Sequence, residues 1–166
     1  MMRYRKMVGG VGALIGLWLA ALTCASSAQT YPTAPRVHLI YMGGDDCPPC
    51  VAWRRFELPK LQATESFKAI RFTFVTKLIR SPVPASFFLP DEVKPYKDKL
   101  DHASGGRSGS PQFAVLVNDE IYDYYYGARS AEQVEQMLIA IRYGTPYPFS
   151  RCLRVTGRTG CAIKGT

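Results

Sequence analysis

The stretch that most constrains this chain is Cys47-Pro48-Pro49-Cys50. It stands between an apolar, β-like run, Val37-His38-Leu39-Ile40-Tyr41-Met42, and a segment with helical spacing that begins near Cys50. Gly43-Gly44-Asp45-Asp46 supplies the turn between them. A helix that starts at such a turn offers unpaired backbone N–H groups and the positive end of its dipole, and both favour a thiolate over a thiol. The thiolate is the form that attacks disulfides. A second sulfur three residues on lies within reach to resolve the mixed disulfide. The motif reads as a dithiol–disulfide exchange site built on Cys47 and Cys50, a chemistry that calls for no metal and no cofactor.

The first part of the chain does not belong to the fold that carries this motif. Arg3, Arg5 and Lys6 form a basic opening, Val8 to Leu22 is apolar, and Ser26-Ser27-Ala28 offers small residues for cleavage. That is the layout of a secretory signal peptide over residues 1–28. The apolar run is shorter than the ~20 residues of a membrane-spanning helix. An uncleaved N-terminal anchor is the alternative, and only then would a membrane be a partner. Lipidation at Cys24 is disfavoured by Ala21-Leu22-Thr23 before it. The expected location is periplasmic or secreted.

Cleavage after Ala28 leaves Cys47, Cys50, Cys152 and Cys161, and an even count in an exported chain favours disulfides. The whole chain carries a formal charge of +8, and the three basic residues of the leader leave the remainder at +5. The tail is the most one-sided part, with Arg151, Arg154, Arg158 and Lys164. Export and the lack of any nucleic-acid motif argue against a nucleic-acid partner. An anionic surface or an acidic partner fits the charge, but a solvated basic face is the plainest reading.

Residues 29–36 read as a lead-in and Val37 to Met42 as a buried strand. A helix is expected from Cys50 to Leu58, with Val51, Phe56 and Trp53 as its inward candidates. Pro59 should end or kink it. Leu61 to Phe67 makes a second short turn, and Ile70 to Thr76 alternates as a strand. Ser81 to Pro90 is too rich in proline for regular structure. It is expected to pack Phe87 and Phe88 onto the sheet, a hydrophobic lip for substrates being the alternative. Pro95 to His102 suits a short helix with its proline in the first turn. Gln112 to Val117 is a strand, Asn118-Asp119-Glu120 a turn, and Ile121 to Tyr126 the hairpin partner. Ser130 and Gln133 form a capping-box pattern before a helix that Gly144 stops near Tyr143. Of the two histidines, His38 is expected to pack in a strand and His102 to lie on the surface. The order of elements implies a parallel strand pair with a crossover, then an antiparallel hairpin, in an α/β layered domain over 37–143.

At this point the chain resembles the thioredoxin-like superfamily. The resemblance rests on Cys47-Pro48-Pro49-Cys50 after the first core strand, Ser110-Pro111 just before a strand, the hairpin at Asn118-Asp119-Glu120, and Tyr126-Gly127-Ala128-Arg129-Ser130 leading into the last helix. It implies a three-layer fold, a mixed sheet with helices on both faces. It also implies an exposed nucleophile at Cys47, a buried resolving cysteine at Cys50, and a cis Pro111 whose neighbour Ser110 pairs with an extended substrate. Protein thiols or disulfides, and a redox partner protein, would be the partners. Thioredoxins proper have a Trp before the first cysteine and a buried Asp in the preceding strand, where this chain has Asp46 and Tyr41.

Pro48 and Pro49 have no N–H to give the Cys47 sulfur, and Asp45 and Asp46 add negative charge nearby. Arg54 and Arg55 offset part of it. The balance leans to a reductase or isomerase-like role, by a small margin, since ~30 mV is worth only ~1.4 kcal/mol. Cys152 and Cys161 fall in the tail over 144–166. A structural disulfide there would close a loop of about ten residues, worth roughly 2.7 kcal/mol in the chain-entropy model. A second redox pair is the alternative, and the spacing is too wide for a zinc ribbon or knuckle. The competing functional reading is a non-catalytic binding or assembly module whose Cys47–Cys50 disulfide is only structural.

Overall fold

The computed structural model describes residues 34–152. The leader over 1–28 and Cys161 therefore lie outside the described residues. In chain order the strands are β1 (Val37–Gly43), β2 (Arg71–Thr76), β3 (Gln112–Val117) and β4 (Glu120–Tyr126). The helices are α1 (Pro48–Ala52), α2 (Leu58–Gln62), α3 (Glu65–Lys68), α4 (Lys97–Ser104) and α5 (Ala131–Tyr143). The sheet order is β2-β1-β3-β4, with β1 parallel to β2 and antiparallel to β3, and β3 antiparallel to β4.

Central position explains the largely apolar run of β1, all seven residues of which are buried, His38 included. Its side chains alternate between two cores. Leu39 and Tyr41 face Trp53, Leu61, Val134 and Leu138, whereas Ile40 and Met42 face Val83, Leu89, Val93 and Leu100. The cysteine helix, α3 and α5 thus cover one face and α4 with the loop before it covers the other. This is the thioredoxin-like three-layer α/β arrangement.

Several local expectations need correction. Of the two outcomes expected at Pro59, an end or a kink, the end does not occur. Trp53–Glu57 forms a π turn in which the Leu58 N–H reaches the Trp53 carbonyl, and Pro59 sits in the first turn of α2. The wider turn accommodates a ring that would otherwise press on the carbonyl four residues back. One extra residue also rotates the rest of the helical stretch by about 100°. Val51 and Phe56 point outward, Phe56 being 56% exposed, while Trp53 and Leu61 are buried.

Phe87 and Phe88 do not pack on the sheet either. They lie on a short 3-10 turn, Ser86–Phe88, and are 87% and 71% exposed. Val83 and Leu89, on either side, fill the core in their place. The hairpin turn is two residues long, with Asn118 and Asp119 at positive φ and Glu120 already paired with Val117. Two such residues suit the twist of the flanking strands. The capping box forms as expected: Ser130 Oγ accepts from the Gln133 N–H, and Gln133 Oε1 accepts from the Ser130 N–H.

Candidate active site

The site begins where β1 ends. Gly43 and Gly44 are buried, and a β-carbon at Gly43 would stand 2.5 Å from the Tyr41 hydroxyl and 2.9 Å from Cys50 Sγ. At Gly44 it would stand 2.3 Å from the Lys77 carbonyl oxygen. The chain can turn here only because neither residue has a side chain. Cys47 then caps the helix, in an extended conformation, and Pro48 and Pro49 occupy the first two helical positions. Prolines are tolerated there because those N–H groups would have no helical partner. Cys47 and Cys50 form a disulfide, and the Cys50 N–H donates to Cys47 Sγ at 3.2 Å.

Both sulfurs belong to the core that includes Tyr41, Trp53 and Phe113. Cys50 is buried, as expected. Cys47 is buried as well, with no exposed surface in this oxidised form, which corrects the expectation of an exposed nucleophile. The aspartates before it are not bare charges. Asp45 pairs with Arg54, whose guanidinium also lies over the Phe74 ring at 5.3 Å. Asp46 Oδ2 accepts the Ile79 N–H at 2.9 Å.

Met42 pairs with Gln112, so Pro111 falls level with Gly43, four residues ahead of Cys47. The Ser110–Pro111 peptide bond is cis. Ser110 Oγ accepts a hydrogen bond at 2.9 Å from Lys77 Nζ, which also donates to the Gly109 carbonyl at 2.7 Å and the Leu78 carbonyl at 3.3 Å. Burial lowers the pKa of the Lys77 ammonium to about 8, against an opposing pull from Asp46. The Lys77 N–H bonds the Gly43 carbonyl at 3.1 Å. One residue thus fastens the turn before Cys47 to the segment before Pro111. Sequence reasoning misses it, although Lys77, one residue past β2, continues by simple alternation the side that Thr73 and Val75 occupy, and all three are buried.

Tyr41 stacks on Trp53 and Phe74, with ring centroids 5.0 and 5.2 Å away. Its hydroxyl donates to the Cys50 carbonyl at 3.4 Å, and burial raises its pKa to about 12. The Trp53 indole N–H reaches the Arg129 carbonyl at 2.8 Å, tying the cysteine helix to the loop before α5. Beside that tie runs a groove of about 370 Å³ lined by Pro49, Ala52, Trp53, Phe56 and the Ala128–Ser130 loop.

The third cysteine among the described residues lies elsewhere. Cys152 is buried in the opposite core, and it is disulfide-bonded. Its N–H donates to Asp123, which also accepts from the Tyr124 N–H and the Tyr147 hydroxyl and stands 3.6 Å from Arg129. Asp123 is a second residue that sequence reasoning misses. The bulge between Val115 and Leu116 in the β3–β4 pairing breaks the alternation that would have assigned its face. The expected pairing of Cys152 with Cys161 involves a residue outside the described ones. His38 is buried against Thr73, and His102 is exposed.

No protein-family model matches the chain, and no curated protein matches it in sequence. Similar solved structures include Trxlp from Edwardsiella tarda EIB202, at 18% identity over 62% of this chain and 82% of that one, with a TM-score of 0.43. StoA from Bacillus subtilis is 12% identical over 63% of this chain and 83% of that one, with a TM-score of 0.38. The C-terminal domain of Neisseria meningitidis DsbD, in its reduced form, is 18% identical over 68% of this chain and 84% of that one, with a TM-score of 0.39. By its own strand order, its crossover and the place of its cysteine pair, this chain has a thioredoxin-like fold.

Proposed function

We propose that the chain is an exported thiol–disulfide oxidoreductase that exchanges disulfides with protein substrates through Cys47 and Cys50. The observation that carries the reading is the pair itself: two bonded sulfurs at the start of a helical stretch, one receiving the backbone N–H of the other. In the reduced protein the Cys47 thiolate attacks a substrate disulfide and releases one substrate thiolate. Cys50 then attacks Cys47 Sγ, which re-forms the Cys47–Cys50 bond and releases the second substrate sulfur. Two electrons pass to the substrate, and a dithiol partner protein returns them.

Ser110 and Pro111 would position the substrate. The Ser110 backbone makes no hydrogen bond among the described residues, so it is available to an extended segment. The groove beside Pro49 would take neighbouring side chains. Export is supported by the leader pattern over 1–28 and by the disulfide at Cys152, because such bonds persist in oxidising compartments. The lean to a reductase or isomerase-like direction is supported by the backbone N–H of Cys50, the one donor to Cys47 Sγ among the described residues. The aspartates add less to that lean than their sequence positions suggest, since Asp45 is paired with Arg54 and Asp46 with a backbone N–H.

A Cys50→Ser variant is expected to accumulate mixed disulfides through Cys47 in an envelope extract, visible as adducts that a reductant collapses. An extract in which no adduct forms would overturn turnover. The burial of Cys47 favours a second reading, a binding or assembly module with a structural disulfide. That module would resist reduction at potentials where an exchange enzyme is half reduced.

A further inference from the structure

The exchange step has an unanswered requirement. When the disulfide opens, Cys50 must leave or attack as a thiolate within the core, and an anion without a hydrogen-bond donor is costly there. The core around it is built of apolar and aromatic residues, Tyr41 among them, and the fully charged side chains buried among the described residues are Lys77 and Asp123. The nearby charges are committed elsewhere: Asp45 to Arg54, Asp46 to the Ile79 N–H, and the Lys77 ammonium to three oxygens.

Tyr41 is placed otherwise. Its hydroxyl and Cys50 Sγ converge on the same point beside Gly43, where a single added carbon would touch both. The only acceptor the hydroxyl has among the described residues is the Cys50 carbonyl, at a long 3.4 Å. Stacking between Trp53 and Phe74 fixes the ring, so the hydroxyl cannot swing away. Contact between the two requires the freed Cys50 side chain to rotate toward the hydroxyl once the disulfide opens.

We propose that the Tyr41 hydroxyl is the hydrogen-bond donor for the Cys50 thiolate, making Tyr41 a further catalytic residue of the exchange reaction. The inference rests on the proposed exchange activity. In the resolving direction the Cys50 thiol gives its proton to water, Cys50 Sγ⁻ attacks Cys47 Sγ, the bond from Cys47 to the substrate sulfur breaks, and the substrate leaves as a thiolate that water protonates. In reverse, a substrate thiolate attacks Cys47 Sγ and Cys50 departs as the anion. Tyr41 keeps its proton throughout and only shares it, in keeping with a pKa raised to about 12. Tyr41 is thus the donor to the anion, and water is the acceptor of the Cys50 proton.

The test uses the reduced protein and dithiobis(nitrobenzoate), which releases one coloured thiolate when Cys47 attacks and a second when Cys50 resolves. Tyr41→Phe keeps the ring and removes the donor. The first release is expected at the wild-type rate and the second at least about ten-fold slower, the size expected for one hydrogen bond to a charged group. Equal second phases would overturn the proposal, and so would equal slowing of both phases, which would place the effect on packing. If wild-type protein releases nothing, the exchange reading itself fails and takes this one with it. Should Tyr41→Phe not fold, 3-fluorotyrosine at position 41, a stronger donor of the same shape, is expected to speed the second phase, and an unchanged rate would refute the role.

Discussion

Lys77 shows what a single buried charge does to the molecule's response to pH. Burial lowers its pKa in the folded state to about 8, below the ordinary value of 10.5. Between those two values the unfolded chain binds more protons than the folded one, so stability rises with pH. The destabilising effect is present in full below pH 8 and is relieved as the pH climbs. Unfolding free energy from urea melts is therefore expected to increase from pH 8 to about 10 in the wild type. In Lys77→Met that slope should vanish; a slope that survives would assign it to other groups. The lysine was legible in principle, since it continues the buried side of β2, but its charge argued for the surface. Three oxygens within hydrogen-bond reach resolve the conflict, and no pattern of apolar residues foretells them.

Among the elements, legibility followed the range of the interactions. The start of α5 was readable because Ser130 and Gln133 satisfy each other within one turn. The same end of α5 also receives Glu57 from the cysteine helix, whose carboxylate accepts the Ala131 N–H at 2.8 Å. That bond, with Lys60 beside it, holds the Glu57 carboxyl below its usual range. Ser130→Ala is expected to destabilise the protein by about 1 kcal/mol, measured as a shift of the urea midpoint at unchanged slope. A loss below a few tenths would mean that Glu57 alone suffices to cap the helix. The cysteine helix departs from its pattern past Trp53 because periodicity assumes a constant turn, and the π turn before Pro59 changes the phase. Phe87 and Phe88 depart from expectation for another reason: apolar character identifies a residue that can be buried, and the loop already had Val83 and Leu89 for that purpose.

For the whole molecule, the two cores carry an unusual load of tyrosine. Burial raises Tyr41 to about 12, and Tyr124, Tyr125 and Tyr147 higher than ordinary tyrosine as well. These groups keep their protons in the folded state where the unfolded chain loses them. Their contribution is complete below pH 10 and is lost as the pH rises beyond it. Together with Lys77 this gives a stability maximum near pH 10 and cooperative unfolding above it. Monitoring tyrosinate absorbance alongside circular dichroism checks the point: the two transitions should coincide, and early ionisation of these tyrosines in a folded protein would contradict it.

The hairpin turn at Asn118-Asp119 gives the molecule a polarity of practical use. Arg36 bonds there, its backbone N–H to Asn118 and its guanidinium to Asp119, just before β1 sets out toward the opposite end and the cysteines. The length of one strand, ~20 Å, separates the two poles. A dye, a biotin or a resin linkage introduced at residue 118 would thus be anchored at the back of the molecule, leaving the sulfur-bearing end facing bulk solvent and any large client presented to it.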